Sequence, residues 1–254
     1  MYSNLFYSTI EVQDSAMIQE NQCGVILYKI QLSEYQELVP DLIHFLSTSE
    51  HHRANRYHFE KDKNRFVICR ALLKFLLAEH LDLEIAQILL DIDSNKKPYF
   101  AAHPSVFFNV SHAGDYALIA ITKSPIGVDI EYVNKSFDYK EILPNICSIT
   151  EIDEVNQSTD KPLSFYKLWT RKEAIVKAIG KGIDDDLPKI PVTDGFHSVT
   201  SALVCGYKKI TIFSFNVDYD YVGAIAFTKE IINSDKIVFT PLPTSTELRN
   251  SIFK

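Results

Sequence analysis

Three short stretches hold side chains whose types and spacing could do chemistry. The first, Ile126-Gly127-Val128-Asp129-Ile130-Glu131, has the alternation of a strand. A period of two places Gly127, Asp129 and Glu131 on one face, with the two carboxylates ~7 Å apart along the strand. Like charges so placed repel, and a hard cation with oxygen ligands would relieve them. Gly127 beside them leaves room for a ligand to approach the backbone. An exposed polar strand face would read the same way. The second stretch is WTRKEAIVKAIGKG, residues 169–182. At helical spacing Trp169, Glu173 and Lys177 share one stripe, beside an apolar stripe of Phe165, Leu168, Val176 and Ile179. Glu173 then stands at the edge of the core. A Glu173–Lys177 helix ion pair is one account of this pattern. The other adds a third carboxylate and a lysine to Asp129 and Glu131, a set suited to magnesium bound together with a polyphosphate. The third stretch is FFNVSHAGDY, residues 107–116. Asn109 and Ser111 share a strand face, and His112 begins a turn. Ser111 and His112 point to opposite faces, so they are no nucleophile–base pair. Polar recognition of a ligand suits them, as does a purely structural role for the histidine.

The charge pattern bears on what that ligand is. The 254 residues carry a net charge of −7, which argues against general nucleic-acid binding. Basic residues are nevertheless concentrated. From His51 to Lys74, Arg53, Arg56, Lys61, Lys63, Arg65, Arg70 and Lys74 face only Glu60 and Asp62, a local +5. From Lys167 to Lys181 five basic residues face Glu173 alone, a local +4. Two cationic segments in an acidic chain suggest a focused site for an anion, although solvated helix faces look alike. No phosphate loop, zinc helix, nucleophile elbow or dinucleotide fingerprint occurs. No apolar run is long enough to span a membrane, and MYSNLFYSTIEVQD lacks the features of a secretory signal. Cys23, Cys69, Cys147 and Cys205 are far apart and read as reduced thiols of a cytoplasmic protein.

The elements that must position these residues follow from periodicity. GVILYKIQL (24–32) reads as a strand, residues 34–47 and 61–80 as helices, and 84–90 as a further short helix. SVFFNVSH, DYALIAIT and IGVDIEYV read as three successive strands. Helices are expected near 138–144, 150–156 and 164–179, the last stopped by Gly180-Lys181-Gly182. KKITIFSFNV and YVGAIAFT close the pattern as strands. YALIAIT (116–122) and YVGAIAFT (221–228) echo one another, a similarity that chance alone also produces. The class is α+β rather than alternating βαβ.

On these residues the chain resembles the Sfp-type 4′-phosphopantetheinyl transferases. IGVDIE at 126–131 and WTRKEAIVK at 169–177 fill both parts of that family's signature, with 39 residues (130–168) between Asp129 and Trp169. FNVSHAGDYALIAI is similar to its strand and turn, RFVICRALLKFLL to its basic helix, and Lys97-Pro98-Tyr99 to its Gly-Lys-Pro-Tyr loop. Lys96 stands where that loop usually has glycine, and HAG replaces the commoner HSG at 112–114. Residues 1–22 and 240–254 match none of these blocks.

The resemblance implies two similar α+β halves related by a pseudo-twofold, here 1–125 and 126–254, with the site between them. Single-half relatives form trimers, so a chain with both halves is expected to be a monomer. It implies transfer of 4′-phosphopantetheine from coenzyme A to a serine of an apo acyl or peptidyl carrier protein, releasing adenosine 3′,5′-bisphosphate. Asp129, Glu131 and Glu173 would ligate Mg2+. Lys177 would neutralise the phosphate under attack, and Lys172 would contact the phosphate nearer the pantetheine. Ser111 and His112 would contact the nucleotide and its phosphates. Lys97, Arg53 and Arg65 would hold the adenosine end and its 3′-phosphate. Glu173 or Glu151 would serve as general base. The competing expectation is a non-catalytic module that binds coenzyme A or a carrier protein. Phe137, Tyr139, Ile142, Leu143 and Ile146 form a candidate docking surface, or equally a core-facing helix.

Overall fold

The computed structural model describes residues 1–15, 24–231 and 237–252. Along the chain run β1 (Tyr2–Thr9), β2 (Val25–Gln31), α1 (Val39–Leu42), α2 (Thr48–Ala54), α3 (Glu60–Leu81), β3 (Asp91–Ile92), β4 (Pro98–Tyr99), β5 (Phe107–Ala113), β6 (Tyr116–Thr122) and β7 (Ile126–Tyr132). There follow α4 (Leu143–Ile146), α5 (Ile149–Gln157), α6 (Lys161–Ile179), β8 (Gly195–Thr200), β9 (Lys209–Asp218), β10 (Tyr221–Phe227), β11 (Phe239–Thr240) and α7 (Ser245–Ile252).

One plan occurs twice. β2, α3, β5 and β6 repeat as β7, α6, β9 and β10, and in each set the last strand lies between the other two. YALIAIT and YVGAIAF are therefore equivalent central strands, β6 and β10. Their opening tyrosines, Tyr116 and Tyr221, meet edge to face at 4.8 Å. The two sheets, ordered β11-β2-β6-β5 and β7-β10-β9-β1-β8, pack face to face. Leu27, Leu118 and Ala120 meet Val128, Ile130, Phe213 and Ile225 between them. On the outer faces α3 and α6 cover separate cores. Each large apolar side chain removed from water this way contributes roughly 1.5–3 kcal/mol.

The chain ends cross over. β1 runs parallel to β9 and antiparallel to β8, inside the second half's sheet. β11 runs parallel to β2, inside the first half's sheet.

Several local expectations change. The helix expected over 34–47 is 3-10 helix at Leu32–Leu38 and Ile43–Phe45 around the four-residue α1. Pro40 near its start lacks the N–H that a continuous α-helix would use. Residues 84–90 form one 3-10 turn, Ile85–Gln87, because Ile88 is drawn into the first core and the chain then enters β3. The helix near 138–144 begins only at Leu143. Tyr139, Leu143 and Ile146 are buried in the second core, so of the proposed docking residues only Phe137 is well exposed. Arg70 and Lys74 are likewise buried, at 3.5 and 2.8 Å from Glu50, instead of lying on a solvated helix face. Cys69, Cys147 and Cys205 are free thiols, and Cys23 lies outside the described residues. Among the described residues no helix is long and apolar enough to cross a membrane.

Candidate active site

The seam between the halves is where β5 of the first meets β7 of the second. Asn109 fixes it by accepting a hydrogen bond at Oδ1 from the Val128 N–H at 2.8 Å. β7 is buried on both faces, against the other sheet on one side and α6 on the other. Gly127 is what lets α6 come so close. A Cβ there would lie 2.0 Å from the Ala174 carbonyl oxygen and 2.5 Å from the Ala178 nitrogen. The room that Gly127 leaves is thus filled by a helix backbone rather than by a ligand.

That approach brings the stripe of α6 against the carboxylates of β7. Asp129 is 3% exposed. Its Oδ1 accepts hydrogen bonds from Lys177 Nζ at 2.6 Å and Ser111 Oγ at 2.8 Å, and Lys177 Nζ also donates to Ser111 Oγ at 3.0 Å. Its Oδ2 is buried with no hydrogen-bond partner. Glu131 Oε1 accepts from Trp169 Nε1 at 3.1 Å. Together Ser111, His112, Asp129, Glu131, Trp169, Glu173 and Lys177 line a cavity of about 340 Å³.

Proton affinity in this cavity is displaced in one direction. Burial, and then the Asp129 charge, push the Glu131 carboxyl up to about 7, against the opposing pull of Trp169 and Lys177. Burial and Asp129 raise Glu173. Burial raises Asp129 too, although Lys177 and Ser111 oppose it. Between its ordinary value of 4.5 and about 7, Glu131 binds more protons folded than unfolded, so stability falls as pH rises through that window. In metal-free buffer the melting temperature should therefore drop between about pH 5 and about pH 7.5. Glu131→Gln should melt above the parent at the higher pH and match it at the lower. Parallel melting curves for the two proteins would show that Glu131 does not titrate in this range.

The other candidate residues are distributed differently. Lys172 is fully buried, donating to the Leu187 and Ile190 carbonyls at 3.1 and 2.7 Å and pairing with Glu151 at 3.0 Å. Glu151 also accepts from the N–H groups of Ser148 and Val192. Neither reaches the cavity, so neither the phosphate contact for Lys172 nor the base role for Glu151 fits. Lys97 donates to the carbonyls of Lys177 at 2.6 Å and Ile126 at 3.3 Å. Arg65 pairs with Asp62 at 2.8 Å, one helical turn away. Arg53 lines a larger cavity of about 670 Å³ with Arg56, Tyr57, Arg70 and Lys96, where the four cations outnumber the carboxylates of Glu50 and Asp91. A narrow cavity of about 150 Å³ shares Arg53, Tyr57, Arg70 and Lys96 with that one, and Val110 and His112 with the carboxylate site. A cationic groove thus leads to the carboxylates. Sequence reasoning assigned no role to Arg56, Arg70 or Lys96. The signal was there for the two arginines, in the +5 segment, and for Lys96 in its departure from the glycine usual at that place.

Among the described residues no three His, Cys, Asp or Glu side chains converge as a finished metal site. The donors nevertheless fit a hard cation, because Asp129 Oδ2 is buried and unpartnered, and burial followed by the Asp129 charge raises Glu131 and Glu173.

Comparison with known proteins bears on this arrangement. The family model described as 4′-phosphopantetheinyl transferase, N-terminal, matches residues 34–124, and that of the 4′-phosphopantetheinyl transferase superfamily matches 125–226. The 4′-phosphopantetheinyl transferase HetI of Nostoc sp. is 33% identical over 165 residues, 63% of this chain and 70% of that protein. A 4′-phosphopantetheinyl transferase of Bacillus subtilis is 29% identical over 188 residues, 71% of this chain and 81% of its own length. The transferase Sfp of Bacillus subtilis is 27% identical over 189 residues, with the same coverages of 71% and 81%.

Proposed function

The chain belongs to the 4′-phosphopantetheinyl transferase superfamily, and from that premise we propose that it moves 4′-phosphopantetheine from coenzyme A to a serine of an apo acyl or peptidyl carrier protein. The observation that carries this reading is the cationic groove running into a cavity lined by Lys177 and three carboxylates. A long polyanion with a pyrophosphate at one end of its nucleotide matches that charge pattern.

In this reading the nucleotide end lies among Arg53, Arg56, Arg70 and Lys96, and the pyrophosphate lies beside Ser111, His112 and Lys177. The carrier's serine oxygen attacks the phosphorus that bears the pantetheine. A new oxygen–phosphorus bond forms, and the bridging bond to adenosine 3′,5′-bisphosphate breaks, the leaving oxygen taking the electron pair. Phosphoryl transfer of this kind needs alignment and charge neutralisation more than covalent help from the protein. Lys177 supplies positive charge at the reacting end. Glu173 accepts the serine proton, since it has no hydrogen-bond partner among the described residues and burial raises its affinity for a proton. Asp129, Glu131 and Glu173 would hold Mg2+, which when bound neutralises pyrophosphate charge. We further infer a monomer, because one chain supplies both walls of the seam, and a cytoplasmic enzyme, because Cys69, Cys147 and Cys205 are free thiols.

The test is to incubate the protein with coenzyme A, magnesium chloride and several apo carrier proteins, and to weigh the carriers intact. A gain equal to the phosphopantetheine group on at least one of them is expected. Tight coenzyme A binding with no gain on any carrier would favour the non-catalytic module, for which an unpartnered buried Asp129 oxygen has no evident use.

A further inference from the structure

The turn 93–97 belongs to the first half and lies between the two parts of the groove. Asp93 builds it, with Oδ1 accepting from the N–H groups of Asn95 at 2.9 Å and Lys97 at 2.8 Å. The Lys96 N–H donates to the Asp93 carbonyl at 3.0 Å, and Lys96 takes a left-handed backbone, φ 64°. Two consecutive lysines are thereby sent to different places. The Lys97 ammonium crosses to the second half and donates to the carbonyls of Lys177 and Ile126. Asn95 Nδ2 joins it there, donating to the Gly180 carbonyl at 2.5 Å. The Lys177 and Gly180 carbonyls stand at the C-terminal end of α6, where carbonyls lack partners within the helix and a cation is stabilised by the helix dipole. Lys96 instead lines both cationic cavities alongside Arg53 and Arg70. It is exposed, and its ammonium has no protein partner among the described residues.

We propose that Lys96, and not Lys97, meets the terminal phosphate of the ligand, while Lys97 is a positioning residue that holds the last turn of α6 against β7. This rests on the transferase reading above and divides the work of the turn. Lys96 brings a further cation to a cavity lined also by Arg53, Arg56, Asp91 and an Arg70 already paired with Glu50, where a phosphate monoester would be recognised. Lys97 acts through Lys177, whose backbone it clamps and whose ammonium pairs with Asp129. The same clamp fixes Ile126, the first residue of the strand that carries Asp129 and Glu131.

The experiment compares Lys96→Gly, Lys97→Met and Lys97→Arg with coenzyme A and with 3′-dephospho-coenzyme A as donors. Glycine suits the left-handed backbone at 96, so the first variant keeps the turn. It should raise KM for coenzyme A about tenfold, leave KM for the dephospho compound unchanged, and so erase the preference. Lys97→Met should lower kcat about tenfold or more while keeping the parent's ratio of the two KM values, and Lys97→Arg should recover part of that kcat. Loss of the preference in Lys97→Met, or its survival in Lys96→Gly, overturns the proposal. If Lys97→Met does not fold, the Lys96→Gly comparison decides. Calorimetric titration with the two donors and no carrier measures the same preference, so a protein that fails to transfer still tests the division of roles.

Discussion

Asp129→Asn should lower phosphopantetheine transfer by about 10³-fold with little change in melting temperature. The substitution keeps the shape of a side chain that is 3% exposed, and its carbonyl oxygen can still accept from Ser111 and Lys177. What is lost is the charge, together with the buried, unpartnered Oδ2 of a residue that lines the cavity. The fold should tolerate the loss. Burial raises the proton affinity of Asp129, so near neutral pH its ionised form opposes folding, and removing that charge offsets the weakened pairing with Lys177. Transfer kinetics with saturating magnesium and a thermal melt check both halves of this expectation. Near-parental turnover would remove Asp129 from the site.

Gly127→Ala is expected to harm both stability and activity. The added methyl would stand 2.0 Å from the Ala174 carbonyl oxygen and 2.5 Å from the Ala178 nitrogen, both helix backbone that no rotamer change can move aside. α6 must back away as a body, at a cost of roughly 1–3 kcal/mol. For a chain of this size each kcal/mol lowers the melting temperature by about 2–4 °C. Trp169, Glu173 and Lys177 ride on that helix, and the partners of Trp169 and Lys177 across the gap lie at 2.6–3.1 Å. A shift of ~1 Å there should reduce kcat about 10²-fold. Coenzyme A affinity should change far less, because the arginine-lined cavity is built from the first half. A variant that melts low yet turns over normally would mean that this contact sets stability without setting the site.

Much of the site was legible because strand and helix periods are local. The alternation of 126–131 and the four-residue spacing of Trp169, Glu173 and Lys177 were enough to put those side chains on two faces that could meet. Periodicity states which face a residue occupies and not what stands opposite it. Lys172 and Glu151 look like ordinary charged residues until two short elements fold together and seal them as a pair. Arg70 and Lys74 seem to form a solvated stripe until Glu50, twenty or more residues earlier in the chain, turns out to neutralise them. Gly127 reads as space for a ligand, whereas the space belongs to α6. In the fold, the repeated strand–helix–strand–strand plan was visible only as an echo between two apolar segments. The pairing of β1 with β9 was not visible at all, since it joins residues some 200 positions apart in register Asn4 with Lys209 to Thr9 with Ser214.

That crossing of the chain ends limits how the molecule can move. A two-part enzyme joined by a single connection can open like a hinged box, admit its substrates and close. Here the halves are joined at three places: the link after residue 122, the passage out of β1 into β2, and the return from β10 to β11. Swinging one half away would pull Tyr116 from Tyr221 and part the Asn109–Val128 hydrogen bond of the seam. The crossed ends therefore tie each sheet to the other half of the chain. On the proposed transfer, the donor would lie along the arginine-lined cavity and the carrier's serine would meet it at the carboxylate end.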